Sequence, residues 1–326
     1  MATIPRAERA TETCLGELLS QVTRRAAIAA SACVGRGDEM AADIAAALAM
    51  KDALSRIEMQ GLVTVRERDP GSDTTILLGE TVGSGQGAEF DLALDPLEGS
   101  TLAAKGMPNA LSAVAAGPRG GFLPAPDLYM EKLAIGPGYE PGVVDLDAGA
   151  GENAERLARA KGVAVRDITV CVLDRPRHEK IISDLRRVGA RVRLISDGDM
   201  LAVIKTAMPT SGIDMYAGQG GAPEGVLAAA ALKCLGGQMF VRLAVRNEGD
   251  KRIAAEAGLD HRRVFALNEI ARGETVFAAT GVTHGSLLDG VSHKGGRIHT
   301  HSLVMSSGDG VIRHVHCSAP APEDDN

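Results

Sequence analysis

The chain lacks the cysteine patterns that mark disulfide frameworks and thiolate zinc sites. Its five cysteines are an odd, scattered set without Cys-x-x-Cys spacing: Cys14, Cys33, Cys171, Cys234 and Cys317. A disulfide-stabilised secreted domain uses an even set of cysteines, and a thiolate zinc site uses closely spaced pairs. The sequence therefore predicts a protein of a reducing compartment, and the cytoplasm is the expected location.

Long basic runs and long apolar runs are also missing. The chain has 35 Lys and Arg against 42 Asp and Glu, which gives a formal net charge of −7. This pattern offers no electrostatic footprint for nucleic acid or an anionic membrane, so small molecules are the expected partners. The apolar stretch at residues 26–34 is short and interrupted by Ser31, and no run approaches the roughly 18 residues of a membrane span. We predict that this stretch belongs to a helix.

The 326 residues have an ordinary globular composition, with 45% apolar and 24% charged residues. This length is sufficient for one large or two smaller α/β units. Apolar residues recur at three- and four-residue steps, which predicts a helix from about Leu15 to Gly35 and a second helix from an N-cap at Asp38 to Gly61. Short apolar or β-branched segments between Gly, Pro or Asp clusters predict strands at 62–65, 74–78, 90–94 and 111–116.

The second half of the chain alternates strands with helices. Predicted helices start after Arg177 and at Asp199, between strands at 168–173, 191–196 and 212–218. Such a βαβα rhythm predicts a mainly parallel sheet covered on both faces. It also places a boundary near residue 165, between halves at 1–165 and 166–317. The remaining segments are predicted as strands at 276–280, 297–306 and 311–318, followed by a disordered tail at 318–326.

Carboxylates collect at the end of the third predicted strand. Asp95 stands at its carboxyl edge, Pro96 ends the hydrogen-bond ladder, and Glu98 follows. Mg²⁺ and Mn²⁺ prefer such oxygen ligands. The backbone N–H of Gly99 and the hydroxyl of Ser100 are suited to contact a phosphate oxygen or an attacking water. An Asp-Pro pair alone is more often a surface turn with a helix cap, but the whole hexapeptide after a strand is far more specific.

The hexapeptide DPLEGS resembles the signature of the metal-dependent, lithium-sensitive sugar phosphatase superfamily. Other segments, in order, resemble those of the class II fructose-1,6-bisphosphatases: GRGDEMAAD (35–43), NALSAVAAG (109–117), FLPAPDLYMEKLAIGPG (122–138), RPRH (175–178), SDGD (196–199) and GGAPEG (220–225). The similarity covers about residues 12 to 316. It implies an α/β fold of the layered αβαβα sugar-phosphatase type, in which two halves that each contain a sheet pack together.

The resemblance implies a cofactor, Mg²⁺ or Mn²⁺, held by five acidic residues: Asp43, Glu67, Asp95, Glu98 and Glu224. Five hard ligands fit two cations, which can activate a water and stabilise the leaving oxygen. Taken alone, Asp43 in an alanine-rich helix is typical of a solvated residue. Glu67 between Arg66 and Arg68 is likewise typical of an ion pair, and only the resemblance favours the ligand role for both.

The resemblance also implies a set of substrate-binding residues: Glu98, Gly99, Ser100, Tyr129, Arg175, Pro176, Arg177, Asp197, Gly198, Asp199 and Gly221. Arg175 and Arg177 follow a predicted strand, where two cations can hold a phosphate, although a surface patch at a helix start is common there. Asp199 equally suits a helix N-cap. Tyr129 is expected to act as a hydroxyl donor, and Gly221 is expected to permit a close backbone approach.

Six histidines crowd the C-terminal part: His284, His293, His299, His301, His314 and His316. His-x-His pairs can chelate transition metals. Residues two apart on a strand simply share a face, however, so His299/His301 and His314/His316 are predicted to form an exposed strand face. The resemblance gives the histidines no catalytic role, and they are left out of the predicted site.

The expected reaction is direct hydrolysis of the 1-phosphate of fructose 1,6-bisphosphate, without a covalent phosphoenzyme. A water oriented by Ser100 and a nearby carboxylate attacks the phosphorus in line. The resemblance also implies sedoheptulose 1,7-bisphosphate as a second substrate, a place in gluconeogenesis or the Calvin cycle, and a homo-oligomer (dimer or tetramer). Two alternatives stay open. An inositol-monophosphatase-like enzyme would lack the RPRH, SDGD and GGAPEG segments, and a sugar-phosphate-binding paralogue would bind with little turnover.

One catalytically sensitive segment departs from the family pattern. Class II members carry a GEGEIDEAP-like run after the first predicted strand, with a ligand Glu and, four residues later, an acidic group near the attacking water. Here the run from Arg66 reads RERDPGSD, and Gly71 falls where that acid is expected. Glycine cannot polarise a water, so either Asp69 or Asp73 reaches in, or the metals and Ser100 suffice at a lower rate. The Pro-Gly turn between the two acids favours Asp73.

We predict that Asp73→Ala lowers kcat by at least about a hundredfold, because general-base assistance typically contributes about 10²–10⁴-fold. Ligand affinity should stay nearly intact, and steady-state kinetics beside a direct ligand-binding measurement separates the two quantities. Asp69→Ala is the matched control. Full turnover in Asp73→Ala with loss in Asp69→Ala would exchange the two roles. Insensitivity of both variants, with a nearly inert wild type, would favour the binding paralogue.

Overall fold

The computed structural model describes the backbone of residues 6–66 and 75–321 and the side chains from residue 15 onward. Within these ranges the chain forms nine α-helices: α1 (Arg6–Ser31), α2 (Glu39–Ser55), α3 (Ser100–Ala104), α4 (Ala150–Lys161), α5 (Glu179–Arg187), α6 (Asp199–Lys205), α7 (Ala222–Cys234), α8 (Glu248–Glu256) and α9 (Leu267–Ile270). None of these helices is long and apolar enough to cross a membrane.

The same ranges contain fourteen strands: β1 (Met59–Arg66), β2 (Thr81–Val82), β3 (Ala88–Glu98), β4 (Leu111–Gly117), β5 (Tyr129–Ile135), β6 (Thr169–Leu173), β7 (Arg191–Ile195), β8 (Met215–Gly221), β9 (Gln238–Leu243), β10 (Phe265–Ala266), β11 (Val276–Gly281), β12 (Ser292–Lys294), β13 (Arg297–Ser306) and β14 (Ile312–Pro320). The strands form two mixed sheets, so the predicted α/β class is confirmed.

The chain divides into two compact units. Unit 1 takes residues within 1–119 and 274–326, and unit 2 takes residues within 120–273. The predicted boundary near residue 165 falls inside unit 2, between α4 and β6. The strand–helix rhythm becomes regular only at β6. A boundary drawn from that rhythm therefore misses β5, which already belongs to unit 2.

Unit 1 is built on an eight-stranded sheet in the order β12-β13-β11-β4-β3-β1-β2, with β14 paired to β13. β1 and β3 run parallel, and the other pairs are antiparallel. Helices α1 and α2 pack against each other, and α1 packs on β11 and β13. The predicted first helix is confirmed. Its buried residues recur at helical spacing and enter the core of unit 1: Leu15, Leu19, Val22, Ala26 and Ala30.

The second helix begins as predicted and ends earlier. The Asp38 carboxylate caps α2, since its Oδ1 accepts a hydrogen bond from the N–H of Ala41 at 2.9 Å. The predicted end at Gly61 is wrong, because α2 stops at Ser55 and Gly61 pairs within the sheet, opposite Val82 on β2. A glycine therefore marked a strand position here, not a helix end.

The strand predicted at 74–78 is absent from residues 75–78, which is the part of that segment the structure describes. Ile76 is fully buried, yet its carbonyl accepts a hydrogen bond from the Arg66 side chain. The Thr75 hydroxyl accepts a second hydrogen bond from Arg66 at 3.0 Å. Hydrogen bonds from the Arg66 side chain thus take the place of the backbone hydrogen bonds that a strand at 74–78 would form.

Unit 2 contains a six-stranded sheet in the order β10-β9-β5-β8-β6-β7. The prediction of a mainly parallel sheet is wrong, because only β6 with its neighbours β7 and β8 is parallel. β5 is antiparallel to both β8 and β9, and β9 is antiparallel to β10. The strands that sequence reasoning did not identify, β5 and β9, are the ones that make the sheet mixed.

The C-terminal strand β14 runs to Pro320, which pairs with Arg297 on β13. The prediction of a tail is therefore wrong for residues 318–320, while residues 322–326 lie outside the described residues. The predicted sharing of a face within each pair, His299/His301 and His314/His316, agrees with the strand register. The predicted exposure of that face is wrong for His301, which is only 9% exposed. The side chains of His314 and His316 lie against its ring.

Candidate functional site

The end of β3 buries two carboxylates in unit 1. Asp95 is 3% exposed and Glu98 is 5% exposed. The pairing with β4 slips between these two residues, where Pro96 cannot donate to the ladder. One carboxylate oxygen of Asp95, Oδ1, accepts a hydrogen bond from the N–H of Leu97 at 3.0 Å and fixes the turn. Charged groups are rarely this buried unless cations or several donors compensate them.

The residue after Glu98 is a glycine for a steric reason. Gly99 has φ 78°, in the left-handed region that favours glycine. A Cβ there would also lie 2.9 Å from Cδ1 of Leu102. This turn starts α3 at Ser100, whose side chain is half-buried. Ser100 therefore begins a helix directly behind the two buried carboxylates.

Asp43 lies half-buried on α2, which packs against α3. The connection before α2 is tied to the same helix, because the N–H of Gly35 donates to the carbonyl of Ala103 at 2.9 Å. The structure thus brings the helix that carries Asp43 against the helix that follows Glu98. A spacing of more than fifty residues hides this proximity in the sequence.

Residues 67–74 lie outside the described residues, and with them four residues that the sequence analysis singled out: Glu67, Asp69, Gly71 and Asp73. The structure describes both flanks of that segment. Arg66 ends β1 in parallel register with Leu94, the residue before Asp95. The Arg66 guanidinium also donates to the hydroxyl of Thr75 at 3.0 Å. The chain therefore leaves β1 beside the end of β3, and its two flanks are tied together by one side chain.

A second set of contacts fixes the residues that follow position 74. Lys51 on α2 lies 2.7 Å from Oε1 of Glu80 and donates to the carbonyl of Thr75 at 3.1 Å. The N–H of Leu77 donates to the other oxygen of Glu80 at 2.7 Å. Partial burial raises the pKa of Glu80, but the hydrogen bonds from Lys51 and Leu77 outweigh it and hold that pKa below its ordinary value. Glu80 is consequently ionised at neutral pH.

Unit 2 gathers the predicted sugar-binding residues at one edge of its sheet. β6, β7 and β8 run parallel, so their carboxyl ends lie at the same edge, and the antiparallel β5 begins there. The predicted residues stand at or just after these strand ends: Tyr129, Arg175, Pro176, Arg177, Asp197, Gly198, Asp199 and Gly221. Edges of this kind are the usual ligand-binding places of α/β sheets.

A buried ion pair lies at this edge. Asp199 opens α6, and its Oδ2 is 2.7 Å from Nζ of Lys132 on β5. The hydroxyl of Tyr216 donates to the same oxygen at 3.2 Å. A Cβ at Gly220 would collide with this oxygen, so glycine permits the close approach. The alternative role of Asp199 as a helix N-cap is not found, since Gly198 occupies the cap.

Glu224 presents a buried carboxylate oxygen in the first turn of α7. Among the described residues, no group forms a hydrogen bond with its Oε2. Burial raises the pKa of Glu224, and the Asp199 charge adds to this, while the Lys132 charge opposes it. A Cβ at Gly221 would collide with this carboxylate, which explains the glycine in GGAPEG. A buried carboxylate oxygen without a hydrogen-bond partner among the described residues fits a place for a divalent cation.

Arg177 is held against Tyr129. Its Nε and Nη2 donate to the carbonyl of Gln219 at 3.2 and 2.9 Å. Its guanidinium carbon lies 4.8 Å from the centre of the Tyr129 ring, and that of Arg246 lies 4.9 Å from the same centre. Two guanidinium groups on one aromatic ring create a strongly positive spot, which is suited to a phosphate.

The neighbouring predicted residues are less enclosed. Arg175 and Pro176 are exposed, at the start of a 3₁₀ turn after β6. Asp197 is half-buried, and its Oδ1 accepts a hydrogen bond from the N–H of Gly198 at 3.0 Å. Gly198 has φ 79° and caps α6. The structure therefore brings these residues to the same sheet edge as Asp199.

His178 is buried under this sheet edge and links two of its strands through hydrogen bonds. The ring is fully buried, and its Nδ1 lies 2.8 Å from the carbonyl of Leu173. The N–H of Gln219 donates to Nε2 at 2.8 Å, so Nε2 carries no hydrogen and Nδ1 donates to Leu173. Burial lowers the pKa of His178 below its ordinary value of 6.5, and the nearby Arg177 charge lowers it further. The ring is neutral, and it fixes the strand residue that orients Arg177.

Sequence reasoning missed several groups of this edge: Lys132, His178, Tyr216 and Arg246. His178 stands inside the RPRH segment, but its position alone does not reveal that the ring faces the interior. Lys132 lies within the segment of residues 122–138, where it is the only lysine and follows Glu131 directly. Tyr216 and Arg246 lie on or after strands with no motif of their own.

Known proteins resemble the chain over most of its length. The family model described as bacterial fructose-1,6-bisphosphatase, glpX-encoded, matches residues 14–319. Fructose-1,6-bisphosphatase 1 class 2 of Escherichia coli (strain K12) is 39% identical over 310 residues, which cover 91% of this chain and 92% of that protein. The fructose-1,6-bisphosphatases class 2 of Escherichia coli O6:H1 and of Shigella flexneri give the same identity and coverage.

The matches define the class of protein first: a phosphoric monoester hydrolase of carbohydrate metabolism. More narrowly, the chain belongs to the class II, glpX-type fructose-1,6-bisphosphatase family. The predicted resemblance is thereby confirmed. The family is generally metal-dependent, and it implies a sugar bisphosphate as substrate.

We predict that His178 makes stability depend on pH. The unfolded chain binds the imidazole proton near pH 6.5, whereas the folded chain binds it only at lower pH. The free energy of unfolding should therefore fall as the pH drops from about 7 through 6.5 towards the folded pKa. His178→Asn should flatten this slope in denaturant unfolding, whereas His293→Asn, at an exposed position, should not. An unchanged slope in His178→Asn would show that the folded and unfolded chains bind the imidazole proton alike, which contradicts a lowered pKa.

Proposed function

We propose that the chain hydrolyses the 1-phosphate of fructose 1,6-bisphosphate and releases inorganic phosphate. The observation that carries this proposal is the buried pair Asp95 and Glu98 followed by the left-handed Gly99 and the start of α3 at Ser100. This arrangement supplies hard oxygen ligands and a hydroxyl within one turn of chain. Membership of the family supplies the substrate class. Sedoheptulose 1,7-bisphosphate is proposed as a further substrate.

Mg²⁺ or Mn²⁺ is the proposed cofactor, with five proposed ligands: Asp43, Glu67, Asp95, Glu98 and Glu224. The burial of Asp95 and Glu98 and the orphaned Oε2 of Glu224 support this assignment. The end of β1 beside Leu94 supports it for Glu67. Such ions, when bound, make water nucleophilic at neutral pH and stabilise the oxygen that leaves.

The chain's own residues bind and orient the substrate. The Arg177 guanidinium, braced by Gln219 and stacked on Tyr129, is proposed to hold the phosphate that stays on the sugar, with Arg175 beside it. The carboxylates of Asp197 and Asp199 are proposed to accept hydrogen bonds from the sugar hydroxyls. Pro176, Gly198 and Gly221 shape the backbone around these contacts.

Ser100 and the N–H groups around Gly99 are proposed to position the phosphate and the attacking water. Asp73 is proposed to accept the proton that this water loses. The positive spot formed by Arg177 and Arg246 explains why a bisphosphate should bind better than a monophosphate. The match over residues 14–319 includes the RPRH, SDGD and GGAPEG segments, which favours the bisphosphatase over the inositol-phosphatase alternative.

The remaining parts of the proposal concern setting and assembly. We propose a cytoplasmic enzyme that acts as a homo-oligomer, a dimer or tetramer. Its negative charge supports the absence of nucleic acid and anionic membrane surfaces among its partners. Sedimentation of the purified chain would test the assembly, and a lone monomer would contradict it.

Metal removal should abolish phosphate release, and added Mn²⁺ or Mg²⁺ should restore it. We further predict that Asp95→Asn and Glu98→Gln each lower activity at least about a hundredfold. The loss of a residue that only hydrogen-bonds to a metal ligand already lowers metal affinity or activity about 10–100-fold, and the loss of a ligand should lower it at least as much. Asp91→Asn is the matched control, since Asp91 is equally buried on β3 but pairs with Arg119 at 3.2 Å. Undiminished activity in the metal-free protein would contradict the proposed cofactor.

Arg177→Ala should mainly raise KM for the bisphosphate. A charged hydrogen bond contributes about 1.5–3 kcal/mol, which corresponds to roughly 10–100-fold. Because a remote phosphate clamp binds ground state and transition state alike, kcat should change little. Arg187→Ala, at an exposed arginine of α5, is the control. Steady-state kinetics in which kcat falls while KM stays constant would remove Arg177 from the clamp.

A further inference from the structure

Unit 1 contains a second group of metal-ligating side chains that the proposed phosphatase site does not use. One donor atom each of Asp289, His301 and His316 lies within 4.8 Å of the other two. His301 lies on β13, His316 lies on β14, and Asp289 lies in the connection between β11 and β12. The group thus gathers three separate segments of chain.

The strand register explains why the two imidazoles meet. His301 and His316 are direct partners in the antiparallel pairing of β13 with β14, so their side chains leave the sheet on the same face. Their rings stack with centres 4.0 Å apart. His314 shares this face, and its Nδ1 lies 2.9 Å from Nε2 of His301. Three imidazoles are therefore concentrated in one place.

The connection that carries Asp289 is fixed to the same place. The N–H of Asp289 donates to Nδ1 of His301 at 3.0 Å, and Oδ2 of its carboxylate lies 3.4 Å from that nitrogen. The other oxygen, Oδ1, lies 3.2 Å from Nδ1 of His284. An acidic group thus stands beside the imidazoles, and its backbone N–H holds the His301 ring in place.

The place is accessible to an ion from solution. Asp289, His301 and His316 line a cavity of about 790 Å³, together with His284 and His299. Asp289 and His316 are exposed, whereas His301 is nearly buried. The donors of a tetrahedral zinc site lie about 3.3 Å apart. The three donor atoms lie within 4.8 Å of one another, and the exposed side chains of Asp289 and His316 can rotate to close that gap.

We propose that Asp289, His301 and His316 bind a borderline divalent cation of the Zn²⁺, Co²⁺ or Ni²⁺ class, separately from the carboxylates at the end of β3. Two imidazoles with one carboxylate suit these ions, whereas Mg²⁺ prefers oxygen alone. The bound ion links the Asp289 connection to β13 and β14. Its binding to the folded chain should raise the temperature of unfolding.

The test is a Zn²⁺ titration of the full chain by calorimetry in excess Mg²⁺, with unfolding temperature as a second readout. His316→Gln and Asp289→Asn remove exposed donors and leave the buried His301 in place, so folding should be preserved. Each should weaken the zinc affinity at least about a hundredfold and remove the zinc-dependent rise in unfolding temperature. His293→Gln is the matched control. His293 pairs with Ile298 of β13, and both lie on the face of the sheet opposite to His301.

If zinc binds at the proposed phosphatase carboxylates instead, different variants should lose zinc binding. Binding that survives in Asp95→Asn and disappears in His316→Gln supports the histidine site. Binding that disappears in Asp95→Asn and survives in His316→Gln and Asp289→Asn overturns it, as does a wild-type chain that binds no zinc at millimolar concentration. With Co²⁺ as the probe, the loss of its visible absorption band in His316→Gln, and not in His293→Gln, reports coordination by the imidazole directly.

Discussion

The burial of carboxylates at strand ends is the constraint that shapes each unit. An ionised carboxylate taken out of water loses several kcal/mol of solvation unless cations or donors replace the water. Asp95 and Glu98 in unit 1 and Asp199 in unit 2 are nevertheless at most 5% exposed. The surrounding backbone conforms to them, with glycines where any Cβ would collide, as at Gly99 and Gly220. At such positions only glycine is tolerated, and the restriction keeps the charged group in a fixed place.

Two acids of unit 2 show how differently such a charge is compensated. Asp199 has a permanent cation, since Lys132 is fully buried against it at 2.7 Å and Tyr216 adds a hydrogen bond. Glu224 has a buried oxygen that no described group satisfies, and burial raises its pKa. A residue with a built-in counterion can orient a neutral hydroxyl without rearranging. The Lys132 charge also acts on Glu224, but Oε2 of Glu224 has no hydrogen-bond partner among the described residues and is therefore suited to an exchangeable cation. Both acids lie beside glycines in short motifs, and the partners of their carboxylate oxygens distinguish their roles.

The sequence predicts local elements well and long-range connections poorly. The helical spacing in α1 and the cap at Asp38 depend on neighbouring residues, so both were predicted correctly. Most proposed site residues were found through short motifs, and the sheet edge in unit 2 gathers those of that unit. Lys132 was missed because its meaning depends on a partner 67 residues away. The antiparallel β5 was missed for the same reason, and with it the mixed sheet and the discontinuous unit 1.

Unit 1 contains two sets of possible metal ligands, the carboxylates at the end of β3 and the cluster of Asp289, His301 and His316. They prefer different cations, and this preference limits which ion each set can hold. Zn²⁺ binds most sites more tightly than Mg²⁺ or Mn²⁺, so carboxylates alone do not exclude zinc. The end of β3 offers oxygen and no imidazole, which reduces the advantage of zinc there. The cluster of Asp289, His301 and His316 offers nitrogen, which increases it. A chain with both sets would direct scarce zinc towards the histidines and leave the carboxylates to the more abundant hard cations. Zinc found with the purified protein would therefore not by itself identify the ion that supports phosphate release.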